Sequence, residues 1–480
     1  MFFSLFVLLS LLWFLFAFNT VSLEQLVYHF LMPLNGANLS IVLKFFVDVI
    51  INSLILTVFL FFISGLELQY KKAGSLWRVS FNKYRKKALL ALQVLLALAS
   101  LVILIRADAP ALVMRFFEGP SLFYEEHYID PAGLNFSFPP EKRNLIVIFV
   151  ESLETGFFST ARGGAFAEEL IPEVYDMASG HINFSHSDTV GGASQVYGTG
   201  WTMAGIVASY AGIPSVAGMN EGYGEMMMGK KILPGITTIG DILAGQGYRN
   251  YFMLGSKGEF AGRDNFFITH GNTEILDYHY FHGNEYIPKN YYVWWGFEDR
   301  KLYAFAKEKL SQLGKSENPF FFTLLTADTH STDGYLDDKA ETAYPSKFKN
   351  VLADMSKQLH DFITWLKGQE FYENTTVAIL GDHLYMDGSI FSDRTADRRP
   401  LNVFINSLLP GDHVKNREFS HFDLFPTLID SIGGTYDVGG LGLGRSMSRG
   451  GKTLLETMGS QALGSNLAKK SLVYRSFFKE

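Results

Sequence analysis

A chain of 480 residues has room for one large domain with accessories, or for about two or three average domains, and it can bury a substantial core. A formal charge of -7 gives no basic footprint for nucleic acid, and the absence of Cys removes disulfide frameworks and thiolate metal sites. Hydrophobic residues make up 48% of the chain, and their excess is concentrated in the first 105 residues, which predicts a membrane portion followed by a soluble one.

In chain order, residues 1–18 are uncharged and apolar. They lack the basic start and the small-residue cleavage pattern of a removed signal, so a retained helix is expected. Residues 41–66, apolar apart from Lys44, Asp48 and a few small polar residues, and residues 88–105 are two further candidate spans. Between these two lie Lys71, Lys72, Arg78, Lys83, Arg85, Lys86 and Lys87, whereas residues 19–40 hold no Lys or Arg. Basic loops stay cytoplasmic, so the third span exits and everything after about residue 107 is expected outside. Leu23, Leu26, Val27, Phe30 and Leu31 recur at helical spacing, the pattern of a short interfacial helix or of a simple connector. The expected organisation is a transmembrane portion over 1–106, a juxtamembrane linker over 107–143 and an outer domain over 144–480.

The run NLIVIFV at 144–150 is continuously apolar and β-branched, the pattern of a strand buried on both faces. Similar runs at 251–254, 320–325, 376–380 and 401–405 alternate with helix-compatible segments at 167–178, 237–244, 300–313, 347–367 and 423–432. Alternation of this kind predicts an α/β domain with a mostly parallel sheet flanked by helices. Functional residues of such sheets gather at the carboxyl ends of the strands. Those ends carry Glu151, then Asp328 and His330, then Asp382 and His383, with Arg263 and Asp264 at loop distance from a further strand.

The segment GGASQVYGTGWTMAGIVASYAGIP, residues 191–214, sets a threonine between glycines just before a helix-compatible run. Gly198 and Gly200 permit close backbone approach, and a helix starting near Trp201 or Thr202 would aim free N–H groups at an anion. A buried turn leading into a core helix satisfies the same residues. Read as chemistry, Thr199 is the nucleophile, and its hydroxyl with Glu151, Asp382 and His383 makes a three-oxygen, one-nitrogen set for a divalent cation. Mn²⁺ or Zn²⁺ suits that set and Mg²⁺ is admissible. Arg263 is placed to hold a phosphate or carboxylate, and His330 to carry a proton. Helix caps, a surface ion pair and a turn histidine are the structural alternatives, and His421 is the strongest competing ligand.

The ordered motifs FVES, GTGWT opening a helix that ends in GIP, DTH and GDH resemble the membrane-anchored phosphoglycerol transferases of the alkaline phosphatase and sulfatase superfamily, relatives of lipoteichoic acid synthase. FAGRD, WGFEDR, TADTH, DHLYM and GLGLGRSMS look like the branch that modifies periplasmic glucans. The resemblance implies that Thr199 is the nucleophile, that Glu151, Thr199, Asp382 and His383 bind the metal, and that His330 and Arg263 lie near the bound glycerol phosphate, while Gly198, Gly200 and Trp201 are expected to bind substrate as the phosphate seat at the helix start. It implies transfer of glycerol phosphate from phosphatidylglycerol to a periplasmic glucan or other envelope glycan, at the outer face of a bacterial inner membrane. The sequence departs from lipoteichoic acid synthases at Leu254, Gly255 and Ser256, where they carry HGD, and at Ala261, where they carry Trp. Rival readings are a phosphoethanolamine transferase and a non-catalytic lipid or glycan scaffold. A sulfatase is disfavoured, because no formylglycine precursor stands around Thr199.

Overall fold

The computed structural model describes residues 1–18, 39–64, 67–72, 75–80, 85–106, 119–215, 231–411 and 414–479, with Ala109 and Phe117. The chain divides into two units, one within residues 1–114 and one holding Arg115–Glu480. The interfacial helix expected over residues 23–31 lies outside the described residues.

In the first unit, α1 (Phe2–Phe18) precedes α2 (Leu39–Phe45), a π-helical turn (Phe46–Ile51) and α3 (Asn52–Ile63). An antiparallel hairpin of β1 (Glu67–Lys72) and β2 (Ser75–Ser80) leads to α4 (Arg85–Arg106). Val42–Ile63 and Arg85–Arg106 are each 22 residues and apolar enough to cross a membrane, and α1 is a shorter apolar helix of 17. Asp48 sits in the π turn, where its carboxylate accepts a hydrogen bond from the Trp13 indole at 3.3 Å. A hydrogen-bonding partner of this kind is what an acidic side chain in an apolar helix requires.

The second unit is built on a six-stranded sheet. Its strands are β3 (Asn144–Val150), β4 (Arg249–Leu254), β5 (Glu274–Leu276), β6 (Phe320–Leu325), β7 (Thr375–Gly381) and β8 (Asn402–Ile405), in the order β5-β4-β6-β3-β7-β8. All neighbours are parallel except β7 and β8. Strands β3, β6 and β7 are buried along their whole length, as their unbroken apolar runs predict. Within this sheet, the three-residue edge strand β5 and the antiparallel direction of β8 were not expected from sequence.

Helices cover the sheet: α5 (Pro172–Gly180), α6 (Thr202–Ala211), α7 (Ile239–Gly245), α8 (Arg263–Thr269), α9 (Asp299–Leu313), α10 (Lys347–Lys367) and α11 (His421–Ser431). Of these, α6 is buried along nearly its entire length, which explains a composition without a charged residue. The expected linker is partly a docked strap, because Ile129 bridges Gly442 and Ser137 bridges Thr435.

Candidate active site

Register creates the site. Val150 at the end of β3 pairs with Gly381 at the end of β7, so Glu151 and Asp382 emerge side by side from adjacent parallel strands. Phe149 pairs with Leu325 on the other side, which brings Thr326 up to accept a hydrogen bond from the Glu151 backbone N–H at 3.1 Å. Thr329 adds a hydrogen bond from its hydroxyl to the Glu151 carbonyl. Ser152, with φ of +57°, turns the chain sharply enough for its N–H to reach Asp382 Oδ1 at 2.7 Å and for its hydroxyl to reach Glu151 Oε1 at 2.8 Å.

Ligand atoms of Glu151, Asp382 and His383 lie within 4.8 Å of one another, and all three side chains are buried. His383 Nδ1 donates to the Leu384 carbonyl at 2.8 Å, so Nε2 is the ring atom that meets the carboxylates, 3.2 Å from Glu151 Oε1 and 3.4 Å from Asp382 Oδ2. Asp382 Oδ1 accepts two backbone N–H groups, whereas the buried Oδ2 accepts no hydrogen bond among the described residues. Two sequestered carboxylates therefore converge on one nitrogen and need a positive charge between them. The electrostatics of the cluster express the same demand. Burial opposes the charge on His383, but Asp382 and Glu151 push its pKa up to about 10. Burial and then the Glu151 charge push Asp382 up, while Glu151, against its own burial, is held low by His383 and His330. The donor set and the backbone-anchored imidazole fit a divalent cation.

The threonine that joins this cluster is Thr202. Its hydroxyl donates to Glu151 Oε2 at 3.2 Å and lies 3.5 Å from His383 Nε2. Thr199, expected as nucleophile and ligand, is elsewhere: its hydroxyl donates to the Val196 carbonyl at 2.8 Å, accepts from the Val196 N–H at 3.0 Å, and is fully buried. It closes the turn that precedes the helix. Gly198, with φ of +76°, makes that turn against Pro214, and a Cβ on Gly200 would meet the Gln195 amide at 3.1 Å. Trp201 is buried and extended, φ -151°, and gives α6 no side-chain cap, so the N–H groups of the first helical turn open beside the cluster.

Arg263 is buried next to the left-handed residues Ala261 and Gly262, and its guanidinium donates to the carbonyls of Phe260 at 3.0 Å and Lys257 at 2.9 Å. It binds its own loop as well as any ligand it would meet. His330 donates from Nδ1 to the Ser331 carbonyl at 2.6 Å, leaving Nε2 as its free position for proton exchange. Burial lowers its pKa, against the attraction of Glu151. His421 is no ligand: it is fully buried, and its Nε2 donates to the Gly381 carbonyl at 3.0 Å from behind the strand end.

Fold and site together define an α/β protein with a threonine and a candidate metal centre at the carboxyl edge of its sheet. The sulfatase family model matches residues 143–434, more than half of the chain, and the chain belongs to that family. It is 28% identical over 349 residues to phosphoglycerol transferase I of Xanthomonas campestris, covering 69% of this chain and 47% of the relative. It is 28% identical over 364 residues to phosphoglycerol transferase I of Escherichia coli, covering 73% of this chain and 44% of the relative. The chain thus spans less than half the length of these relatives. Two solved structures share the fold. The lipoteichoic acid synthase LtaP from Listeria monocytogenes has a TM-score of 0.50 at 18% identity, covering 66% of this chain and 79% of that one. The integral membrane lipooligosaccharide phosphoethanolamine transferase A from Neisseria meningitidis has a TM-score of 0.51 at 12% identity, covering 90% and 83%.

Proposed function

We propose that the chain is a metal-dependent phosphoglycerol transferase that takes glycerol phosphate from phosphatidylglycerol and delivers it to a glycan of the cell envelope. One observation carries the reading: the Thr202 hydroxyl sits between Glu151 and His383 at the uncapped start of α6. A hydroxyl in that position meets both requirements of a phosphoryl nucleophile, an activating cluster on one side and N–H donors for the phosphoryl oxygens on the other. A divalent cation held by Glu151, Asp382, His383 and Thr202 would supply a lowered hydroxyl pKa and a polarised phosphoryl oxygen. Mn²⁺ and Zn²⁺ suit the donors best.

In the first step Thr202 Oγ1 bonds to phosphorus as the bond to the diacylglycerol oxygen breaks, and the hydroxyl proton ends on diacylglycerol. The second step runs in the opposite sense: an acceptor hydroxyl attacks phosphorus, the Thr202 oxygen leaves, and the acceptor's proton returns to Thr202. His330, with Nε2 free, is the residue we assign to carry the proton in both steps. Arg263 would neutralise the bound phosphodiester. The apolar helices and the basic hairpin support a multi-pass inner-membrane protein with this unit on the periplasmic side. Sulfate-ester hydrolysis of the usual family kind is disfavoured, because Thr202 stands where a formylglycine precursor would be needed and the chain has no Cys.

The test is incubation of the full chain with separately labelled phosphatidylglycerol and phosphatidylethanolamine, in membranes containing envelope glycan. Label passing to glycan from phosphatidylglycerol alone is expected. Transfer from phosphatidylethanolamine would assign the other head group, and binding without transfer would leave a scaffold.

A further inference from the structure

The segment VWWGFED, residues 293–299, grips the strand end that carries His330 from two sides. The Trp294 indole donates to the Ala327 carbonyl at 3.2 Å, the carbonyl that also accepts the His330 N–H at 3.0 Å. Asp299 accepts the N–H groups of Ala327 at 2.8 Å and Asp328 at 2.9 Å, and its own N–H donates back to Asp328 at 3.0 Å. Between these two attachments stands Trp295, 93% buried by its 7% exposure, with its ring 4.9 Å from the His330 imidazole. The indole also meets Phe260 at 5.1 Å, whose carbonyl holds the Arg263 guanidinium, and Trp294 at 6.4 Å. Among the described residues Trp295 Nε1 has no hydrogen-bond partner, and the indole is held by its shape and ring contacts.

We infer that Trp295 is the positioning residue for His330. Among the described residues the imidazole has one hydrogen bond of its own, to Ser331, which fixes the tautomer but leaves rotation about that bond. The indole closes that freedom, and by bridging to Phe260 it sets the proton carrier and the Arg263 loop at a fixed separation. Misplacement of a catalytic group by about 1 Å costs on the order of 100-fold in rate. The inference rests on the functional reading above, in which His330 carries the proton to the departing alkoxide.

Leaving-group dependence separates a positioning role from a structural one. Two donors are used with the full chain: phosphatidylglycerol, whose alkoxide needs a proton to depart, and glycerol 4-nitrophenyl phosphate, whose phenolate does not. Trp295→Leu is expected to lower kcat for phosphatidylglycerol about 100-fold, the low end of what general acid catalysis supplies, with KM within about threefold. The rate with the aryl donor should stay within about threefold. His330→Ala should show the same pattern, the double variant should be no slower than His330→Ala, and Trp295→Phe should recover most of the lost rate. The ratio of the two kcat values is independent of the fraction of folded enzyme, so partial misfolding cannot imitate the result. Equal losses with both donors, additive losses in the double variant, or full activity of Trp295→Leu would overturn the inference alone. A wild-type chain inert toward both donors would overturn the functional reading and this inference with it.

Discussion

Gly205 of α6 packs directly on the Asp382 carbonyl: a Cβ at position 205 would fall 2.0 Å from that oxygen. The contact seats the helix on the end of β7. Residues 202 and 205 share a helical face, three positions apart, so the close approach at Gly205 is also what points Thr202 at Glu151 and His383.

Gly205→Ala should therefore push α6 off the strand end. Overpacking of this kind costs about 1–3 kcal/mol, and a thermal melt should register it as a lower Tm. Transfer activity should fall further than the population of folded protein does, because Thr202 moves with the helix. Unchanged Tm and rate in the Gly205→Ala variant would show that the helix has slack there.

Metal binding should follow the buried donors. Asp382→Asn keeps the shape but removes the charge on the oxygen that accepts no hydrogen bond, and His383→Gln removes the imidazole. Each should reduce tightly held divalent metal, measured by elemental analysis after dialysis, and chelator should abolish wild-type transfer with recovery on adding Mn²⁺ or Zn²⁺. Thr199→Ala should leave metal content unchanged.

His421 gives a pH signature distinct from catalysis. Burial lowers its pKa to about 4, against the pull of its hydrogen bond to Gly381 and with added repulsion from His383. The unfolded chain binds the extra proton below the ordinary value of 6.5, and the folded chain does so only near 4. Stability from this residue is therefore complete above about pH 6.5 and is lost as pH falls toward 4, by roughly 3 kcal/mol in all. His421→Gln should be less stable at neutral pH, and denaturant titrations across that window should show a shallower pH dependence than wild type.

The buried ion pair behind the site yields a further expectation. Glu154 is fully buried and receives two hydrogen bonds from Arg398, at 2.7 and 2.9 Å. Arg398→Met strands that carboxylate and should cost about 3–5 kcal/mol, whereas Arg398→Met with Glu154→Gln should recover a large part. Chemical denaturation of the two variants checks the difference.

The sheet was legible because β3, β6 and β7 are buried on both faces, and such strands write themselves as uninterrupted apolar runs. Strand β5 was not, since three residues are too few to show a period, and the direction of β8 depends on its connection rather than on its own residues. Glu151, Asp382 and His383 were legible from their place after strands. Thr199 was expected at the cluster and Thr202 stands there instead, three residues on, because flanking glycines at Thr199 look like a phosphate loop. The signal that distinguishes Thr202 is the glycine three residues later on the same helical face, whose meaning emerges only when the helix is packed against Asp382. Ser152 offers no such signal, as its left-handed backbone is set by the strand end around it.

In the proposed reaction Thr202 accepts the phosphoryl group. The most direct measurement is peptide mass spectrometry of the chain after exposure to phosphatidylglycerol without acceptor, in wild type, Thr199→Ala and Thr202→Ala. A glycerophosphoryl adduct is expected on Thr202 in wild type and Thr199→Ala, and none in Thr202→Ala. An adduct on Thr199, or one that survives in Thr202→Ala, would contradict it.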